Sequence, residues 1–231
     1  MADQTTRLPG GITNARKRSA MATLGIPDPA KWHVFFDDFD RYLASDWVVT
    51  AVEAGTGASS RALADGRGGR LLITNDNADN DAVFLQTVGE GFLLSPGKRT
   101  FFAAKFQVSD ATQSDVVFGL QIRDTTPLAV SDGVFFLKAD GAATADVVHM
   151  RGSTTTTKAA ATTIVSATDV VWAFVYDGLK TVSYYANDVL IAQLQPAIIC
   201  DTELTVSFGV QNGDAVIRTL NTDYIFAAEQ R

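Results

Sequence analysis

From residue 32 onward the apolar positions of this chain recur every second residue or gather in short runs. In residues 181–186, Val182 and Tyr184 fall on one side while Ser183 and Tyr185 fall on the other. In residues 205–210, Val206, Phe208 and Val210 share a side. A period of two is the mark of a half-buried strand. Residues 170–176 are apolar on both sides, which predicts a strand covered on both faces. About thirteen short strands are expected, at 34–39, 47–52, 70–74, 82–88, 100–108, 116–123, 133–139, 146–150, 170–176, 181–186, 189–194, 204–210 and 223–228. Between them stand Asp65-Gly66, Asp132-Gly133, Asp140-Gly141, Asp177-Gly178, Asn187-Asp188 and Asn212-Gly213. Such pairs supply the positive φ that tight turns need. Strands at this spacing predict an all-β sandwich or barrel. Trp172, Phe174, Val206 and Phe208 are the expected core. The Thr/Ala-rich stretch 153–163 reads as an exposed loop or edge strand.

Residues 1–31 break the pattern. They hold Pro9, Gly10, Gly11, Gly25, Pro27 and Pro29 without either apolar period, so they read as an extended N-terminal arm before one domain, residues 32–231. A short helix over 14–24 is the one element considered there. The arm is basic: Arg7, Arg16, Lys17, Arg18 and Lys31 stand against Asp3 and Asp28. Its side chains sum to +3, which leaves −10 of the total −7 for the remainder.

Composition sharpens this picture. With 231 residues the chain can bury roughly 70% of its unfolded surface and needs no staples. There are fourteen Phe and only four Glu, the other acids being Asp; strand formers and turn formers outweigh helix formers. An acidic body is repelled by nucleic acid and by anionic membranes, so neither is an expected partner. No apolar run approaches the roughly 20 residues that span a bilayer. Cys200 is the single cysteine and reads as a small half-buried hydrophobe, with no sequence sign of a histidine beside it.

Candidate chemistry is sparse. The four Glu (Glu53, Glu90, Glu203, Glu229) are widely separated, so paired strand carboxylates of the glycosidase kind are missing and the chain is expected to be non-enzymatic. Asn75–Asp81 is the densest oxygen-donor segment. Its Asp76, Asp79 and Asp81 could serve a calcium ion, which takes six to eight oxygens; a turn closed by Asx hydrogen bonds is the simpler reading, and no other cofactor is expected. His33 and His149 lack the spaced partners of a zinc site, and His149 reads as a satisfied strand residue. Trp32, Trp47 and Trp172 are candidates for a sugar platform, with Trp172 better placed in the core.

Three stretches carry a resemblance. Phe36-Asp37-Asp38-Phe39 followed by Trp47 resembles the opening strand of concanavalin A-like jelly rolls, the superfamily of laminin-G-like and lectin/glucanase sandwiches. Val175-Tyr176-Asp177-Gly178 with Val182-Ser183-Tyr184-Tyr185-Ala186-Asn187-Asp188 resembles their back-sheet hairpin. Thr222-Asp223-Tyr224-Ile225-Phe226 resembles the closing strand that pairs beside the first. The resemblance implies an antiparallel two-sheet jelly roll. The segment Thr6-Arg7-Leu8-Pro9-Gly10-Gly11-Ile12-Thr13-Asn14 ahead of such a sandwich is similar to structural proteins of tailed bacteriophages. That second resemblance implies a virion protein made in the host cytoplasm, a capsid cement or decoration protein on the outer surface of the head. Its partner would be the major capsid protein and its state a homo-oligomer, a trimer for instance. The arm would dock through Arg7, Leu8, Ile12, Arg16, Lys17, Arg18, Leu24 and Ile26. The alternative is a carbohydrate-binding module, as on a tail fibre, that takes a glycan; a divergent glycan hydrolase is the weaker third.

Overall fold

The computed structural model describes residues 5–7, 13–16, 30–65 and 68–231. In the N-terminal segment two short strands, β1 (Thr5–Arg7) and β2 (Thr13–Arg16), pair with each other in antiparallel register, Thr5 opposite Arg16. The helix considered from residue 14 is therefore corrected at its start: Asn14–Arg16 is extended, as the β-branched Thr13 and the partner strand favour. The rest of that stretch lies outside the described residues.

The domain follows as β3 (Trp32–Asp37), β4 (Trp47–Val52), β5 (Ser60–Leu63), β6 (Leu71–Thr74), β7 (Ala82–Thr87), β8 (Thr100–Val108) and β9 (Ser114–Gln121). Then come β10 (Gly133–Lys138), β11 (Thr144–Arg151), β12 (Thr154–Thr163), β13 (Val170–Tyr176), β14 (Val182–Ala186), β15 (Val189–Leu194), β16 (Thr205–Asn212) and β17 (Thr219–Gln230). They form two antiparallel sheets. The seven-stranded sheet runs β12-β11-β10-β9-β16-β7-β4. The eight-stranded sheet runs β15-β14-β13-β8-β17-β6-β5, with β3 also paired to β17. This is the all-β sandwich that the alternation predicts, with the two antiparallel sheets that the resemblance implies. The closing strand does lie beside the first, with Phe226 opposite Phe36.

The core lies between the sheets. From the eight-stranded sheet come Phe102, Phe106, Trp172, Phe174 and Tyr184; from the other come Phe118, Phe136, Val206 and Phe208. Phe106 stacks on Phe118 across the interior at 4.1 Å between centroids, and Phe136 stacks on Trp172 at 4.8 Å. The Tyr184 hydroxyl bridges the layers by donating to the Val148 carbonyl at 2.7 Å. All four expected core residues are fully buried. Burying one aromatic of this kind stabilises the fold by about 1.5–3 kcal/mol.

Two strands carried no usable signal or an ambiguous one. β5 is mostly exposed and lacks alternation. β12 is the edge of the seven-stranded sheet, exposed along most of its length and interrupted by a bulge where Ala160 takes φ 48° and gives its N–H to Asp146.

Lys138 on β10 is fully buried, and its ammonium donates to the carbonyls of Thr112 (3.0 Å) and Ser114. Burial pushes its pKa down to about 8, against the pull of Asp115, Asp140 and Asp110. The folded pKa lies below the unfolded one, so between about pH 8 and the ordinary lysine value of 10.5 the unfolded chain holds more protons. Stability contributed by this group is absent below that window and rises with pH through it. Relative to Lys138→Met, the natural chain should gain about 1 kcal/mol between pH 7 and pH 9 in denaturant titrations. Parallel pH profiles of the two proteins would contradict this.

Candidate functional site

The outer faces of the two sheets differ. On the seven-stranded sheet, Phe84, Val117, Phe135 and Val148 point outward and are covered by Leu128 and Val130 of the β9–β10 connection. Gln86 fastens that connection by donating to the Ile122 carbonyl and accepting from the Asp124 amide; Gln121 donates to the Pro127 carbonyl. The chain thus closes this face with its own loop.

The outer face of the eight-stranded sheet carries an aromatic band. Strand register sets Phe36, Phe226, Ala103, Ala173 and Tyr185 in one row. The next row holds Val34, Ala228, Phe101, Val175 and Ser183. Trp32 packs edge-on against Phe101 at 5.7 Å, and Arg99 lies over the same ring at 5.5 Å. Phe36 is 58% exposed and tilts against Phe226 at 6.5 Å.

Phe36 also stands at the rim of a cleft of about 440 Å³, lined with Phe35, Asp37, Asp38, Asp40, Arg41, Leu43 and Asp46. The local chain path explains it. Asp37 ends β3 by accepting the Phe39 amide at 2.8 Å, and Phe39 takes φ 52°, a strained value for a bulky residue. The reversal drives the Phe39 ring into the core, against Trp47 at 6.4 Å and Phe208 at 6.1 Å, while the neighbouring aspartates line the cleft. Here β3 ends two residues earlier than expected, because Phe39 belongs to the turn. Burial raises the Asp37 pKa, with Asp38 and Asp46 adding to the effect and the Phe39 amide and Arg41 opposing it. Gly69 packs against the backbone of this turn: at φ 73°, a Cβ there would sit 2.5 Å from the Asp38 carbonyl oxygen. Gly69→Ala should therefore displace the 38–40 turn and destabilise the domain by about 1–3 kcal/mol in thermal melts; an unchanged melt would show that the turn is slack.

Beyond Gly69 a second, polar cleft of about 520 Å³ is lined by Asp65, Arg70, Gln107, Thr168, Asp169 and Asn221. Arg70 forks onto Asp169 at 3.0 and 2.8 Å, and Lys105 reaches Asp223 at 2.6 Å and Asp169 at 3.2 Å. The Asn221 side-chain oxygen is buried without a partner.

The other sequence candidates sort as follows. Among the described residues, no three His, Cys, Asp or Glu side chains converge as metal ligands. Around the calcium candidates Asp76, Asp79 and Asp81, hydrogen bonds close the segment as a turn. The buried Asp81 carboxylate accepts from Ala54 N at 2.6 Å and Ala78 N at 3.0 Å. Asn212 braces the same turn by donating to the carbonyls of Asp76 and Ala78. Asp81→Ala would strand two amide donors, so a loss of about 1–3 kcal/mol in unfolding free energy is expected; no loss in a denaturant titration would mean the turn does not depend on them. Trp47 and Trp172 are core, which leaves Trp32 as the surface tryptophan of the three. Leu8, Ile12, Lys17, Arg18, Leu24 and Ile26 lie outside the described residues. Arg7 and Arg16 lie on β1 and β2, with side chains outside what is described.

Sequence reasoning missed one juxtaposition. Cys200, fully buried, gives its backbone N–H to His149 Nε2 at 3.0 Å, and its thiol lies 3.9 Å from Asp132 Oδ1. Burial pushes the thiol pKa up to about 11, which suits an inert hydrophobe. The contact joins residues 51 apart in sequence, and no local spacing signals it.

No family model matches the chain. No curated protein matches it in sequence. Solved structures do. A GH16 protein of a Bacteroides ovatus mixed-linkage glucan locus, in complex with a product, superposes with TM-score 0.62 at 10% identity, over 83% of this chain and 98% of that one. An endo-1,3-beta-glucanase from Streptomyces sioyaensis gives 0.61 at 13% identity, over 88% and 98%. The potassium-bound form of the Emp46p carbohydrate recognition domain gives 0.55 at 12% identity, over 82% and 93%. At such identities the likeness shows the fold: this is a concanavalin A-like jelly roll. The same finding corrects the expectation of a non-enzymatic domain. Glucanases share this scaffold, so neither the fold nor scattered glutamates support that exclusion.

Proposed function

We propose that this chain binds carbohydrate on the outer face of its eight-stranded sheet. The observation that carries the reading is Phe36, more than half exposed beside a cleft lined by Asp37, Asp38, Asp40 and Asp46. Sugars present C–H faces that rest on aromatic rings and hydroxyls that donate to carboxylates. A mostly apolar platform with a few convergent polar groups is the usual form of a small-molecule site. Trp32, Phe226, Tyr224 and Tyr185 extend the platform, and the Arg70–Asp169 cleft extends its polar border. A carbohydrate recognition domain and glucanases of the same fold weigh the same way. The acidic body selects neutral or cationic glycans over polyanionic ones.

The competing proposal, a capsid cement protein anchored by residues 1–31, rests on residues mostly outside the described ones. Binding of the full chain to an immobilised glycan panel separates the two. The glycan reading predicts capture by a subset of neutral glycans. No capture by any glycan, with attachment to capsids, would replace it with the cement reading.

A further inference from the structure

The Phe36 cleft follows Asp37, where β3 ends. At the other end of β3, register runs from His33 through Glu229 and Thr100 to Tyr176. Beside Tyr176 opens an apolar cavity of about 400 Å³. Pro96 lines it from the β7–β8 connection, Leu179 and Lys180 from the β13–β14 turn, and Pro196, Ile198 and Asp201 from the β15–β16 connection. Two of these side chains also stand out from the surface. Leu179 is 77% exposed, the most of any large apolar side chain among the described residues, and Ile198 is 60% exposed. Single exposed aliphatics are ordinary; two that flank one apolar cavity mark an interaction surface.

The turn that presents Leu179 is fixed. The Asp177 carboxylate accepts the amides of Leu179 at 2.7 Å, Lys180 at 2.9 Å and Thr181 at 3.0 Å. The Tyr176 hydroxyl donates to the Leu179 carbonyl at 3.4 Å. Gly178, at φ 82°, lets the turn lie against the Lys98 backbone, where a Cβ would sit 3.0 Å from the Lys98 nitrogen. The backbone that carries Leu179 is thus ordered before any partner arrives, and docking it costs little further conformational entropy.

Projecting side chain and cavity share one surface. An isologous two-fold contact requires this, because each copy gives the other what it receives. The charges fit the same symmetry. Lys180 and Asp201 line the one cavity. Asp201 pairs with Arg151 at 2.7 Å, yet its side chain stays 67% exposed. A two-fold axis through the cavity can therefore set Lys180 of one copy against Asp201 of the other.

We infer that this surface joins two copies of the chain, the Leu179 of each seated in the other's cavity against Pro96, Pro196 and Ile198. The contact leaves both Phe36 clefts uncovered, and it stands whether or not they bind glycan.

The test is sedimentation of the full chain from low to high micromolar concentration. The mass should rise from that of one chain to that of two. Leu179→Asp should raise the dissociation constant of the dimer about 30-fold or more, the effect of removing an interface anchor. Its melting curve should stay that of the dissociated natural chain, because the side chain is exposed. Lys180→Glu and Asp201→Lys should each weaken the dimer when alone. Their equimolar mixture should recover it, since a mixed pair keeps one natural Lys180–Asp201 contact and reverses both charges in the other. A single-chain mass at every concentration would overturn the inference and leave the patch to a different protein. A dimer untouched by Leu179→Asp, or a mixture no tighter than its two components, would overturn it too, by placing the two-fold axis elsewhere.

Discussion

Replacing Phe208 with alanine should lower the free energy of unfolding by about 3–5 kcal/mol, the sum of lost transfer energy and the cavity left behind. Phe208 is fully buried on β16, and it stands where three other rings meet: Trp47 at 5.3 Å, Phe118 at 5.5 Å and Phe39 at 6.1 Å. Those neighbours belong to rigid strands or to the fixed 38–40 turn, so they relax little into the space. In a chain of this length each kcal/mol moves the melting point by about 2–4 °C, so a drop of about 6–20 °C is expected. The same change should loosen Phe39 and with it the cleft that the turn shapes. A melting curve that does not move would show that Phe208 does not hold the two sheets together.

The second large effect is on binding. Phe36→Ala should weaken glycan affinity about 10- to 100-fold, or about 1.4–2.8 kcal/mol, the range that a stacking aromatic contributes at a recognition surface. Because Phe36 is 58% exposed and its closest ring partner, Phe226, lies 6.5 Å away, the fold should lose much less. Phe36→Tyr should keep most of the affinity, since the ring face is retained. Affinity unchanged in Phe36→Ala, with the melting point also unchanged, would remove the aromatic platform from the account.

Most of the sandwich was legible in the chain because burial writes a period of two. Val182 and Tyr184, or Val206, Phe208 and Val210, face the core in the register that their spacing predicts. Residues 170–176 are covered on both sides, as continuous apolarity implies. β5 was invisible because an exposed four-residue edge strand has no inner face to mark. The Thr/Ala stretch was readable only as loop or edge, since β12 packs too few side chains to fix its pattern. The candidate site was partly legible. Phe36-Asp37-Asp38-Phe39 stood out as an opening strand, but its chemistry depends on Phe39 turning inward at positive φ, which sequence periodicity does not encode. The pairing of β3 with β17 brings Phe226 to Phe36 from 190 residues away, and Gly69 packs against the 38–40 turn from a third segment. The His149–Cys200 contact was hidden for the same reason: topology made it.

Where the glycan binds is decided by a crystal structure of the full chain with the tightest-binding glycan from the panel. Recognition at the Phe36 cleft predicts a sugar ring in van der Waals contact with the Phe36 ring, its hydroxyls donating to carboxylates among Asp37, Asp38, Asp40 and Asp46. A glycan bound elsewhere, with that cleft empty and Phe36 untouched, would contradict it.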